Sequence, residues 1–280
     1  IESIDITGSG DNTLVLDYLE VLNLSDTSNT LTVTGNAGDS VELGDGWTEI
    51  SSVDSKRQFT QGAATVLISD VVTINTDRVV YLLSDLDGSD GFVLSGIDGY
   101  DYSGTSVSTA GDVNGDGYAD ILIGAYLATP DGNNYAGEAY VVFGKGSGFA
   151  ASVDLGTLDG SDGFVLSGID ANDYSGYSVS EAGDVNGDGY ADMLIGAFGA
   201  DPNGGNSGET YVVFGKGSGF SASVDLGSLN GTTGFVLSGI DANDFSGRSV
   251  SSAGDVNGDG YADILIGAYK ADPGGVSNAG

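Results

Sequence analysis

The sequence predicts an all-β protein: a partial β-propeller of four-stranded blades over residues 79–280, preceded by a small β-rich domain over residues 1–78. Three observations carry this. A long unit recurs three times with offsets of 72 and 71 residues. Each copy contains short apolar runs bounded by glycine. Glycine is abundant (49 residues) and proline scarce (3), a mix suited to many short strands joined by tight turns, because glycine supplies the positive φ that such turns require.

The repeats are near-identical in wording. GFVLSGID stands at Gly91–Asp98, Gly163–Asp170 and Gly234–Asp241. AGDVNGDGYAD stands at Ala110–Asp120, Ala182–Asp192 and Ala253–Asp263. AYVVFGKGSGF at Ala139–Phe149 returns as TYVVFGKGSGF at Thr210–Phe220. A fixed period of this kind marks an array of supersecondary units.

Within a period, Thr105–Ala110 alternates small residues, as an innermost strand beside a crowded axis would. Ala119–Ala125 and Ala139–Phe143 read as strands buried on both faces. Phe92–Leu94 reads as the outer strand. The runs are too short and glycine-rich for helix. Four strands per period, packing face to face around an axis, make a propeller blade; a β-sandwich array is the alternative.

Residues 1–78 lack this period. Thr13–Leu16, Leu31–Val33, Val41–Leu43, Thr65–Ile68 and Val71–Ile74 read as strands, and Asp17 with Glu20 forms a capping box for a helical turn or two through Leu24. The join falls near Arg78–Asp85, where the linker wording of the repeats begins. The third copy stops before its third strand, so the sequence is expected to be a piece of a longer protein, the remaining blades coming from missing sequence or from a neighbouring chain.

Charge narrows the function. Seven Lys and Arg face 41 Asp and Glu, a net charge of −34. Only seven of those acids are Glu. A solubilising surface has no reason to avoid Glu, whereas turns and compact oxygen sites favour the shorter Asp. So few bases cannot neutralise a run of phosphates, which argues against nucleic acid as a partner. Histidine and cysteine are absent. That excludes a Ser-His-Asp triad, a thiol nucleophile, a His/Cys zinc site, haem or iron–sulfur ligation, and disulfides. No apolar run reaches the length of a membrane span, and IESIDITGSG is not a signal peptide.

The segment Asp112-Val-Asn114-Gly-Asp116-Gly-Tyr118-Ala-Asp120 has the form D-x-N-x-D-G-x-x-D. Side-chain oxygens at positions 1, 3, 5 and 9, with a backbone carbonyl at 7, suit one hard cation, and glycine at 6 takes the bend. The equivalent ligands are Asp184, Asn186, Asp188, the Tyr190 carbonyl and Asp192, then Asp255, Asn257, Asp259, the Tyr261 carbonyl and Asp263. No Glu stands at position 12, which is Ile123, Ile195 or Ile266; the ninth-position Asp serves instead. Crowding three acids costs about 1–4 kcal/mol per pair, and a metal-free turn needs at most one of them. Oxygen-only ligation with many ligands favours Ca²⁺, giving three expected calcium sites. Their near-identity fits a structural staple in each blade.

These residues resemble the FG-GAP repeats of integrin α-subunit propellers and their bacterial relatives, over about Ser84–Gly280. Ser-Gly replaces Phe-Gly at 103–104, 175–176 and 246–247, with Tyr102, Tyr174 and Phe245 one residue earlier filling the same slot. GAY, GAF and GAY at 124–126, 196–198 and 267–269 replace Gly-Ala-Pro. The resemblance implies a seven-bladed ring with calcium loops on one rim. GSGDNTL (Gly8–Leu14) and GNAGDSVEL (Gly35–Leu43) are similar to the glycine/Asp nonapeptides of repeats-in-toxin proteins and large bacterial adhesins, as single imperfect copies.

The expected function is a calcium-binding structural or adhesive module of a large extracellular bacterial surface protein. The alternatives are a repeating subunit of a self-assembling extracellular filament or surface layer, and a carbohydrate-binding module using the tyrosines. The expected partners are calcium and either copies of itself or a cell-surface protein or glycan, without membrane insertion. An enzyme is not expected. Glu138 and Glu209 recur at matching strand edges, as do Lys145 and Lys216 just beyond, and Trp47 reads as core.

Overall fold

The computed structural model describes residues 3–16, 21, 29–44, 46–75, 83, 86–89 and 91–280. They belong to two compact units, Ile1–Asp85 and Leu86–Gly280. The Asp17–Glu20 capping box lies outside the described residues, as does the Arg78–Asp85 join apart from Leu83. No helix among the described residues is long and apolar enough to cross a membrane.

In the first unit the strands are β1 (Ser3–Asp5), β2 (Thr13–Leu16), β3 (Thr30–Thr34), β4 (Ser40–Leu43), β5 (Thr48–Val53), β6 (Lys56–Gln61), β7 (Ala64–Ser69) and β8 (Thr73–Asn75). One sheet runs β1-β3-β7-β6-β5 and the other β2-β4-β8. β1, β3 and β7 are parallel, as are β2, β4 and β8, so successive strand–turn–strand passages stack directly upon one another. Alternation puts Leu31 and Val33 of β3, Val41 and Leu43 of β4, and Val66 and Ile68 of β7 inside, with Trp47 and Phe59.

That stacking joins the two glycine/Asp turns. Asp39 is fully buried and accepts from the backbone N–H groups of Asn12 (2.9 Å) and Asn36 (2.5 Å) and from Asn12 Nδ2 (3.2 Å). These donors hold its carboxyl below the usual range. The copies that read singly in sequence are neighbours in space. β1 and the β5–β6 hairpin were not anticipated; β6 carries Lys, Arg and Gln, and pairs along β7.

The second unit holds β9 (Val93–Ser95), β10 (Ser106–Gly111), β11 (Asp120–Ala125), β12 (Glu138–Val142), β13 (Ser152–Asp154), β14 (Gly163–Ser167), β15 (Ser178–Gly183), β16 (Asp192–Ala197), β17 (Glu209–Val213), β18 (Ser223–Asp225), β19 (Gly234–Ser238), β20 (Ser249–Gly254) and β21 (Asp263–Gly267). Its first sheet runs β10-β11-β12-β14-β18, antiparallel as far as β14. The next runs β15-β16-β17-β19, and β20 pairs with β21. This is the geometry of a partial β-propeller.

The sheets correct the expected phase of the repeat. The outer strand of each blade is supplied by the following copy: β12 pairs with β14, and β17 with β19. β9 pairs instead with β13. A short parallel strand, β18, extends the first blade to five strands. The alternation within GFVLS is the same whichever blade it joins, so the sequence did not carry the phase.

The core lies between successive sheets. Leu122, Val141, Phe164 and Leu166 from one meet Val179, Met193, Ile195 and Tyr211 from the next. A second cluster holds Leu194 and Val212 against Val250. The inner strands β10, β15 and β20 are neighbours. Their approach dictates glycine at 124 and 196: a Cβ there would collide with the carbonyl oxygens of Gly176 and Gly247.

Candidate metal centres

Each D-x-N-x-D-G-x-x-D segment is the hairpin connection between the first two strands of a sheet: β10 to β11, β15 to β16, β20 to β21. A bulge ends the inner strand, with Gly111, Gly183 and Gly254 at positive φ (73°, 77° and 67°). The ninth-position Asp begins the second strand, so an apolar strand anchors the loop where it closes.

Loop oxygens accept from loop N–H groups. Asp112 Oδ1 accepts from Gly115 N (2.7 Å) and Asp116 N (3.0 Å), and its Oδ2 from Gly117 N (2.9 Å). Asn114 Oδ1 accepts from Asp116 N (2.9 Å), and Asp116 Oδ1 from Tyr118 N (2.9 Å). Asp184, Asn186 and Asp188 repeat the pattern up to Tyr190 N, and Asp255, Asn257 and Asp259 up to Tyr261 N. In the third loop these N–H groups, Gly260 first, hold the Asp255 carboxyl below its usual range. The structure thus gathers positions 1, 3 and 5 of every loop.

Position 9 behaves differently. Asp120 and Asp192 are 1% and 0% exposed and point inward. Asp120 Oδ2 accepts from Val113 N (2.9 Å) and its Oδ1 from Gly144 N (2.7 Å); Asp192 takes Val185 N (2.8 Å) and Gly215 N (3.0 Å). Burial pushes both carboxyls up to about 6, aided by the two other acids of the loop and opposed by the N–H donors. Asp263 accepts from Val256 N (2.8 Å).

Among the described residues no three acidic side chains converge as a ready-made cage: the fifth-position oxygens face loop amides, and in the first two loops the ninth-position carboxylate divides its oxygens between the loop's second N–H and a glycine N–H just beyond the third strand of the sheet. The donor set nevertheless fits a hard cation. It is all oxygen, its carboxylates keep unused lone pairs, and no Lys or Arg ion-pairs with it: among the described residues the ion pair found is Arg57–Glu49.

The remaining singled-out residues are structural in setting. Tyr140 donates to Glu138 Oε2 (2.6 Å) and Tyr211 to Glu209 Oε2 (2.8 Å). Lys145 and Lys216 lie over the rings of Phe149 and Phe220. Tyr102, Tyr174 and Phe245 sit at positive φ and contact Tyr126, Phe198 and Tyr269 of their own copies. Tyr126 reaches Tyr174 and Tyr177 of the next copy, and Phe198 reaches Phe245, so rings bridge the blades.

Residues 103–142, 175–213 and 246–280 match the FG-GAP repeat. Three stretches of the chain thus match the FG-GAP repeat, each enclosing one copy of the loop. Over 172 residues, 61% of this chain, it is 30% identical to integrin alpha-4 of Xenopus laevis, covering 15% of that protein. It is 31% identical over 186 residues (61% of this chain) to integrin alpha-PS2 of Drosophila melanogaster, covering 12% of it. It is also 31% identical over 172 residues (60% of this chain) to phosphatidylinositol-glycan-specific phospholipase D of Bos taurus, covering 19% of it. The chain spans less than a fifth of each of these relatives.

Proposed function

We propose that this chain is a calcium-stapled structural and adhesive module of a large extracellular bacterial surface protein. The observation that carries the reading is the threefold hairpin loop: four oxygen-bearing side chains per loop, the inner carboxylate of the first two loops buried without a cationic partner. Asp112, Asn114, Asp116, the Tyr118 carbonyl and Asp120 would hold the first ion, with the corresponding residues of the other loops holding theirs. A bound Ca²⁺ supplies positive charge that ties the loop oxygens together and offsets their repulsion.

Adhesion and an extracellular setting are supported by the integrin relatives, and a bacterial source by the repeats-in-toxin-like turns of the first unit. The phospholipase D relative raises an enzymatic reading. Against it stand the lack of histidine and cysteine and the packing of Glu138, Glu209, Lys145 and Lys216 onto tyrosines and phenylalanines. Melting the protein in EGTA and in millimolar CaCl₂ tests the calcium reading. Tenfold excess over a typical extracellular Kd adds about 1.4 kcal/mol per site, so the melting temperature rises with calcium; identical melts would refute it.

A further inference from the structure

The three loops are joined to one another by backbone groups that belong to two loops at once. The peptide Tyr190–Ala191 carries the carbonyl at the seventh position of the second loop. Its N–H donates to the carbonyl oxygen of Asp112, first residue of the first loop (3.1 Å). Tyr261–Ala262 does the same one copy on, Ala262 N donating to Asp184 O (3.0 Å).

A second connection links the ninth positions. Asp120 Oδ2 accepts from Val113 N, Val113 O accepts from Lys216 N (2.9 Å), and the adjoining Gly215 N donates to Asp192 Oδ1. The Tyr190 ring also packs over Gly115, where a Cβ would lie 2.5 Å from Cε1, and Tyr261 covers Gly187 in the same manner. Glycine at the fourth loop position thus leaves room for the ring of the following loop.

We propose that these shared peptides make calcium binding positively cooperative between neighbouring loops, each occupied loop positioning the first residue of the loop before it. The inference rests on the calcium reading above. A cation drawing on the Tyr190 carbonyl polarises the same amide whose N–H holds Asp112, and fixes its orientation. By linkage the effect is mutual: filling the first loop favours the second by the same factor. The Tyr190 and Tyr261 peptides are positioning groups for the preceding loop as well as ligands of their own.

The test is site-resolved. The amides of Gly117, Gly189 and Gly260 each donate to the first-position Asp of their own loop (2.9 Å in all three), so their NMR shifts in the full chain report each loop during titration with CaCl₂. Asp188 is exposed, and Asp188→Asn disables the second loop with little risk to folding; Asn186→Ala is the second variant should that one not fold. Either variant is expected to weaken calcium binding at Gly117 about fivefold or more, and Asp116→Asn to weaken it at Gly189 by the same factor. Wild-type titration is expected to be sigmoidal, which needs no variant. Independent filling, with Gly117 within about twofold of wild type in Asp188→Asn, overturns the coupling and leaves the calcium reading standing. Silence of all three amides overturns both.

Discussion

Asp192 is the residue whose replacement separates structural from metal-dependent contributions. It is fully buried, and its two oxygens satisfy Val185 N and Gly215 N. Asp192→Ala leaves both donors without a partner, at about 1–3 kcal/mol each. Relief of a buried carboxylate that lacks a cationic neighbour offsets part of this, so a net loss of about 2–4 kcal/mol is expected. For a unit of this size each kcal/mol moves the melting temperature by about 2–4 °C. Asp192→Asn is different: it retains one acceptor and removes the charge. In chelator it should melt closer to wild type than the alanine variant. In calcium the gap to wild type should widen, because wild type gains about 1.4 kcal/mol per site at tenfold excess that the asparagine loop does not recover. The assay is thermal and urea unfolding of the three proteins, each with EGTA and with CaCl₂. An alanine variant within about a degree of wild type would show that these two hydrogen bonds do not hold the loop. An asparagine variant displaced equally in both conditions would refute the link between Asp192 and the ion.

The pH dependence of the chelated protein follows from Asp173, which burial pushes up to about 6, with Asp170, Glu209 and Asp201 adding to the shift and the Asp170 N–H opposing it. Its folded value lies above the unfolded one of about 4, so the native state binds a proton that the unfolded chain releases between those values. Stability in EGTA should therefore rise as pH falls from 7 toward 5, and Asp173→Asn should lessen that slope in urea titrations, leaving the part that the likewise raised Asp120 and Asp192 contribute. Gly196→Ala, placing a Cβ against the Gly247 carbonyl, should cost about 1–3 kcal/mol, whereas Gly205→Ala, with open space around it, should stay within about 0.5 kcal/mol; equal melting temperatures would contradict the close blade contact. Asp39→Ala orphans the N–H groups of Asn12 and Asn36 and should lower the first unit's stability by about 2–5 kcal/mol, read as faster proteolysis of residues 1–85.

The repeat, the apolar strands and the loop positions were legible because each has a local signature: apolar runs between glycines, and oxygen side chains at alternate places; β1, β5, β6, β13 and β18 lack such a run and were not. The phase of the blades was not, because pairing β12 with β14 rather than β9 is a long-range choice that leaves GFVLS unchanged. The inward turn of Asp120 and Asp192 was equally hidden. An Asp at position 1, 5 or 9 looks alike in sequence, and the one available cue was the apolar run that follows position 9 directly. In the first unit, Asn12 and Asp39 stand 27 residues apart, and only parallel stacking of β2 on β4 makes their turns adjacent.

Counting ions is the most direct check on the central claim. Equilibrium dialysis against CaCl₂ followed by metal analysis should return three calcium ions per chain, lost on chelation, and two for Asp188→Asn. A wild-type chain that retains no calcium at millimolar concentration would contradict the account.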